Sequence, residues 1–220
     1  MGSYTLLQIV GSTIIGGFLI LMLFKFNGIM NEKKQRYETK NIIQNNLSEL
    51  SNIIDSDLNK IGYCKDRVKA SEIFSDAITE ADSSSLTFKT DVSNTELDPF
   101  GDGVVDILKY YLGDEISSTV NSNDKVFYRK VNSDIPLEIN FGITKLNFKY
   151  YNSSGALLST PVSLAELPTI AVVEYSFTLE DIYGYDYSYM GEETDAKEGD
   201  TYFIAMSKTN KVAIKNLKGR

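Results

Sequence analysis

The first 24 residues carry no charged side chain, and from Leu6 to Phe24 the chain is dominated by Leu, Ile, Val, Phe, Met and small residues. Taken as a helix rising about 1.5 Å per residue, such a run spans a hydrocarbon core of roughly 30 Å. A cleaved secretory signal is the rival reading. It needs a basic start, a shorter apolar stretch and a small-residue cleavage site, whereas this run passes into Lys25-Phe26-Asn27 without one. The helical pattern then changes character but does not stop. Ile43, Leu47, Leu50, Ile54, Leu58 and Ile61 recur at intervals of three and four, separated by Asn, Ser, Gln, Glu, Asp and Lys, which is one apolar stripe on a helix. Gly62 stands where a helix C-terminal glycine belongs. The spacing predicts one helix from the membrane to Ile61, a membrane-crossing part over residues 1–30 and an amphipathic part over 31–62.

After Gly62 the period shortens to two. Val104–Leu112, Val126–Val131, Ile143–Tyr151, Ile170–Leu179, Thr201–Met206 and Val212–Lys215 are short, rich in β-branched and aromatic residues, and bounded by turn formers. Leu146, Phe148 and Tyr150 alternate with Asn147 and Lys149, and Val173, Tyr175, Phe177 and Leu179 alternate with Glu174, Ser176 and Thr178, so each strand has one wet face. Asn152-Ser153-Ser154-Gly155 reads as a turn, and Ser207-Lys208-Thr209-Asn210 as the turn of a C-terminal hairpin. A loosely helical pattern over 65–80 predicts a short second helix. The fold class that follows is α+β: a long N-terminal helix packed on an antiparallel sheet within a β-rich domain over 63–220.

Composition narrows the chemistry. Net charge is −8; six Lys/Arg and five Asp/Glu fall within residues 1–64, leaving 16 basic against 25 acidic, or −9, for residues 65–220. An acidic domain without a basic, aromatic-lined stripe repels phosphate backbones, so nucleic acid is not an expected partner. Cys64 is the single cysteine, which excludes a disulfide within the chain and a thiol pair for zinc. The sequence has no histidine, the commonest general base and metal ligand, and no spacing marks a Ser–Lys pair, so no catalytic residues are expected.

Tyr4-Thr5-Leu6-Leu7-Gln8-Ile9-Val10 resembles the Phe-Thr-Leu-Ile-Glu-Val start of mature type IV pilins and type II secretion pseudopilins. Five further segments follow in the family's order. Asp55-Ser56-Asp57-Leu58-Asn59-Lys60-Ile61-Gly62-Tyr63 is similar to the Asp-Leu-Arg-x-Ala-Gly-Tyr that closes the long helix in W-type minor pilins and J-type pseudopilins. Val105-Asp106-Ile107-Leu108-Lys109-Tyr110-Tyr111-Leu112, then Val126-Phe127-Tyr128-Arg129-Lys130, resembles their Ile-x-Tyr-Tyr-Leu followed by Leu-Tyr-Arg, and Phe141-Gly142-Ile143-Thr144-Lys145-Leu146-Asn147-Phe148-Lys149-Tyr150 their Gly-Ile-x-x-Leu-x-Phe-x-Tyr strand. The last ten residues, Lys211-Val212-Ala213-Ile214-Lys215-Asn216-Leu217-Lys218-Gly219-Arg220, are similar to their closing Val-x-x-Arg-Asn-Leu.

The resemblance implies a minor filament subunit, held in the inner membrane and assembling with other pilin or pseudopilin subunits, its β domain outside the cytoplasm. It also implies processing by a prepilin peptidase between Ser3 and Tyr4, with methylation of the new N-terminus. Gln8 then stands where the family carries a glutamate that pairs with a neighbour's terminal amine, and can offer hydrogen bonds only. Lys25, Lys33, Lys34 and Arg36, taken alone, favour the opposite orientation by the positive-inside rule. The alternative is a single-pass anchored sensor or adhesin that keeps Met1 and stays unassembled.

Two acidic stretches suggest calcium, the one cofactor to consider. Asp98, Asp102 and Asp106 stand four residues apart around an Asp-Gly turn, part of an EF-hand-like ligand pattern, but Phe100 and Lys109 occupy other ligand positions. Asp181, Asp186, Glu192, Glu193, Asp195, Glu198 and Asp200, with Tyr183, Tyr185, Tyr187 and Tyr189, read as a long surface loop or a Tyr-rich contact surface.

Overall fold

Leu, Ile, Met and Phe without an interior proline let the backbone of residues 2–58 satisfy itself by helical hydrogen bonds, and α1 runs unbroken over Gly2–Leu58. The computed structural model describes residues 2–92, 101–186 and 201–216; for Gly2, Ser3, Tyr185, Asp186, Thr201 and Tyr202 it describes the backbone alone. Two compact units divide the chain, Met1–Ile42 and Ile43–Arg220. The first is helix. The second holds the rest of α1, a short α2 (Arg67–Ile73) and the strands.

Among the described residues, seven strands form one fully antiparallel sheet in the order β1 (Ile78–Ala81), β2 (Ser85–Thr90), β3 (Asp106–Glu115), β4 (Lys125–Val131), β5 (Leu137–Asn152), β6 (Ile170–Glu180) and β9 (Ala205–Ala213). Successive strands are neighbours, so most connections are hairpins, and β9 joins the edge after a detour through the small ladder of β7 (Tyr185–Asp186) and β8 (Thr201–Tyr202). The expected α+β class, long helix and antiparallel sheet, is what the structure has.

All six stripe residues of the helix end, Ile43, Leu47, Leu50, Ile54, Leu58 and Ile61, are buried in one core with Leu86, Phe88, Leu108, Tyr110, Phe127, Phe148, Tyr150, Val173, Tyr175, Phe177 and Leu179. Tyr110 lies between Phe127, stacked at 5.2 Å, and Phe88 at 6.4 Å. A fully buried Leu or Ile contributes roughly 1.5–3 kcal/mol, so the stripe supplies on the order of 10 kcal/mol of gross burial, more than any single polar contact to the sheet. Apolar packing holds the helix end on the sheet; the polar contacts select its register.

The structure corrects the expected hairpin at Ser207-Lys208-Thr209-Asn210. These residues lie inside β9, paired with Thr178, Phe177, Ser176 and Tyr175 of β6, so edge pairing overrides their turn propensity. Three boundaries also move. The 65–80 helix is confined to Arg67–Ile73, capped by the Asp66 carboxylate on the Val68 amide, and Ile78 already belongs to β1. β3 begins at Asp106 rather than Val104, and β5 reaches back to Leu137. The helix ends at Leu58, and Gly62 adopts φ +73° as the terminating glycine it was expected to be. The Asn152–Gly155 turn forms, with the Asn152 side-chain oxygen accepting from the Ser154 and Ala156 amides.

Candidate functional site

From Tyr4 to Met30 the large side chains of α1 are exposed, Tyr4 at 82%, Phe18 at 65% and Phe24 at 70%. The helix is long and apolar enough to cross a membrane by length and composition. Two of its hydroxyls are satisfied by the helix backbone. Ser12 and Thr13 both donate to the Ile9 carbonyl, at 2.9 and 2.8 Å, which removes the cost of carrying a bare hydroxyl into an apolar phase. Gly11, Gly16, Gly17 and Gly28 each face open space, so within this chain nothing requires a missing Cβ there. Small residues on a lipid-compatible helix are what close helix–helix approach uses. Tyr4 and Gln8 are exposed on this helix; Ser3 is helical, and its side chain lies outside the described residues.

The other end of α1 is fastened by carboxylates. Asp55 and Asp57 sit in its last turn, where the helix dipole disfavours negative charge, so they need partners from elsewhere. Asp57 receives both arms of Arg129 on β4, Nε at 2.7 Å and Nη2 at 3.2 Å, and the Tyr110 hydroxyl of β3. Asp55 accepts from the Tyr175 hydroxyl at 2.7 Å and from Asn210 Nδ2 at 2.9 Å to each oxygen, and Ser51 meets the same Tyr175 hydroxyl at 2.7 Å. The helix end thus touches β3, β4, β6 and β9. Burial pushes the Tyr110 and Tyr175 hydroxyls up, Tyr175 to about 12, and the neighbouring aspartates add to the effect. Burial works against the Arg129 cation, but the hydrogen bond and charge of Asp57 outweigh it and hold the guanidinium protonated.

Three carbonyls of the turn that follows the helix are also claimed. Thr90 Oγ1 donates to the Lys60 oxygen at 2.9 Å, and Asn216 Nδ2 to those of Asn59 and Ile61, each at 3.1 Å. Asn216 belongs to the C-terminal segment whose resemblance was noted above; here it holds the turn that follows the helix. Neither Arg129, Tyr110, Tyr175 nor Asn210 stands out in the sequence as a partner. The available signal was Asp55 and Asp57 themselves, acids placed where a helix end wants cations.

The predicted calcium loop has another organiser. Asp91, fully buried, accepts from the backbone amides of Lys65 (3.0 Å), Asp102 (3.0 Å) and Gly103 (2.9 Å). Lys65 and Lys69 donate from their ammonium groups to the carbonyls of Gly101 and Gly103. A Cβ on Gly101, which has φ +89°, would lie 1.9 Å from Asp91 Oδ1. Of the three candidate ligands, Asp98 lies outside the described residues. Asp102 Oδ1 accepts from the Val104 amide, and Asp106 is buried with the Val92 amide on one oxygen and Asn132 Nδ2 on the other. Among the described residues no three Asp, Glu or Cys side chains converge as a ready-made metal site. Cys64 lies against Asp91; burial, then that negative charge, pushes its thiol up and keeps it unreactive. In the second acidic stretch, Asp181 is buried and Tyr183 exposed, whereas residues 187–200 lie outside the described residues.

Neither a protein-family model nor a curated protein matches the chain. Among solved structures the chain is similar to a type IV-like pilin from Thermus thermophilus, with 13% identity and a TM-score of 0.47, over 79% of this chain and 97% of that one.

Proposed function

We infer that the chain is a structural subunit of a type IV pilus-like or type II secretion pseudopilus filament, and within it a minor subunit. One observation carries this reading: a single helix, Gly2–Leu58, leaves uncharged, mostly apolar side chains exposed over residues 4–24 and buries its last turns in the sheet domain. An exposed apolar surface of that extent needs a cover. In the membrane lipid covers it. In a filament equivalent helices do, and the four open glycines are where backbones would approach. The clamp of Asp55 and Asp57 then keeps each domain in register on its helix, so that the sheet faces outward to other subunits. The sequence resemblance to W-type and J-type subunits supports the minor role, the extracytoplasmic placement of the domain, processing before Tyr4 and methylation there. The role is one of assembly, with no catalysis. Intact-mass measurement and N-terminal sequencing of protein taken from its native membrane test it. A methylated N-terminus at Tyr4 and co-purifying pilin-like subunits are expected, whereas retained Met1 with no such partners would overturn the reading in favour of an unassembled sensor or adhesin.

A further inference from the structure

Tyr110 points at the helix end, so its neighbours Lys109 and Tyr111 point to the opposite face of the sheet, where the register sets Lys130 and Tyr128 of β4 directly across from them. The rings of Tyr111 and Tyr128 stack at 4.9 Å with 18° between their planes. Gly113 makes room for this pair. A Cβ there would collide with the Tyr128 ring, and the pairing of β3 with β4 is irregular between Leu112 and Glu115. The two rings therefore form a fixed aromatic rib on the outer face of the sheet. A concave site of about 440 Å³ opens against it, lined by Ser84, Ser85, Lys109, Tyr111, Leu112 and Lys130. A second depression, of about 480 Å³, continues from Tyr111 along Tyr128 and the irregular segment.

The first site holds a charge arrangement that folding does not explain. Lys109 and Lys130 are like charges directly opposite each other on adjacent strands, which destabilises a sheet. Glu80 answers Lys109 at 2.8 Å, but Lys130 has no carboxylate partner among the described residues. The Lys109 ammonium lies 6.0 Å from the centre of the Tyr111 ring, and the Ser84 and Ser85 hydroxyls make no hydrogen bond among the described residues. Residues 65–220 carry a net −9, so two lysines side by side are a local exception, and a highly charged polymer such as nucleic acid would be repelled by the rest of the domain. A single carboxylate between the ammonium groups would relieve their repulsion. The aromatic ring beside them offers an apolar platform and the serines offer hydroxyls at its rim, in a site whose volume suits a small ligand. An apolar C–H face, a rim of hydroxyls and one acid are together the chemistry of an acidic sugar. We propose that Lys109, Lys130, Ser84, Ser85 and Tyr111 bind a saccharide unit bearing a carboxylate, with the acid at the lysines and the sugar face on Tyr111. The site stands whether the chain assembles into a filament or stays an anchored protein.

The test uses the full chain in detergent micelles and saturation-transfer NMR with two matched pairs of probes, methyl glucuronide with methyl glucoside and sialyllactose with lactose. Sodium acetate supplies the carboxylate alone. At least one acidic probe should bind with a Kd of about 1 mM, the strength of a ligand of about 14 heavy atoms in an open site. Its neutral partner should bind about tenfold more weakly, one charge-assisted contact being lost, and acetate should not displace the sugar at equal concentration. Lys130→Gln should weaken the acidic probe about tenfold, leave the neutral one unchanged and melt no lower than the wild type, since it removes a repulsion. Lys130→Arg should retain binding, and Tyr111→Leu should weaken acidic and neutral probes alike. No signal from either acidic probe up to about 50 mM, well above the expected Kd, overturns the proposal, as do equal affinities for acidic and neutral partners. Acetate that competes as well as the sugar marks a site for an adventitious ion only and also overturns it. So does an acidic pilin-like subunit bound through Lys130 while neither acidic probe binds. Should Tyr111→Leu not fold, Lys130→Gln decides: an unchanged affinity for the acidic probe overturns the site.

Discussion

Arg129→Ala tests the claim that the carboxylate of Asp57 fastens the helix end to the sheet. The side chains of the pair are 19% and 12% exposed, well inside the range where solvent no longer screens them fully. Removing the guanidinium strips two charged hydrogen bonds from Asp57 and leaves it, near a helix C-terminus, with the Tyr110 hydroxyl alone. Breaking a buried pair on one side costs about 3–5 kcal/mol, and the surviving Tyr110 contact argues for the lower end, about 3 kcal/mol. For a domain of 150–250 residues this corresponds to a Tm lower by roughly 6–12 °C. The assay is thermal unfolding of the full chain in micelles, followed by near-ultraviolet circular dichroism. The control is Asp57→Asn combined with Arg129→Met, which removes both charges and fills much of the volume; its loss should fall below that of Arg129→Ala alone. A single mutant within about 0.5 kcal/mol of wild type, the size of a surface substitution, would refute the argument and leave packing as the sole fastening.

Alkaline pH probes the other clamp. Because the folded Tyr175 hydroxyl titrates near 12, against about 10 in an unfolded chain, its contribution is fully present below pH 10 and lost as pH rises to 12. The stability lost from this group is on the order of 2–3 kcal/mol, and Tyr175→Phe should flatten the fall measured by denaturant titration between those pH values. In the Asp91 loop, Gly101→Ala combines a left-handed backbone with a Cβ 1.9 Å from a buried carboxylate oxygen. It should cost about 2 kcal/mol or more and raise amide exchange at Gly103, whereas Val104→Ala, an exposed neighbour, should stay within about 0.5 kcal/mol.

What was legible in the sequence is what one residue's periodicity dictates for its neighbours. The stripe from Ile43 to Ile61 needs only a helix and a sheet to bury it, and every member of it is buried. The alternation in Leu146–Tyr150 and Val173–Leu179 likewise fixes which face meets the helix. In β2, Leu86 and Phe88 do alternate with Ser85, Thr87 and Lys89, a short signal that the predicted strands left out. β1 is only four residues long, too short for a periodic signal, and becomes a strand by pairing with β2. The same cause explains Ser207–Asn210, turn formers in isolation that a neighbouring edge strand straightens.

Polar partners are harder still, because they are set by register between distant segments. Asp57 and Arg129 are 72 positions apart, and Asp55 and Asn210 155 apart. Nothing local distinguishes Arg129 from Lys130, yet on a strand adjacent residues point to opposite faces, and only one can reach the helix. The resemblance quoted for Asp55–Tyr63, Phe127–Arg129 and Val212–Leu217 takes on physical content here. Each segment contributes a contact at the helix end or the turn just after it: Asp57 the carboxylate, Arg129 its cation, and Asn216 the donor to the turn carbonyls of Asn59 and Ile61. Slippage at the last turn of the helix would expose the stripe from Ile43 to Ile61, and three separated segments converge on preventing it.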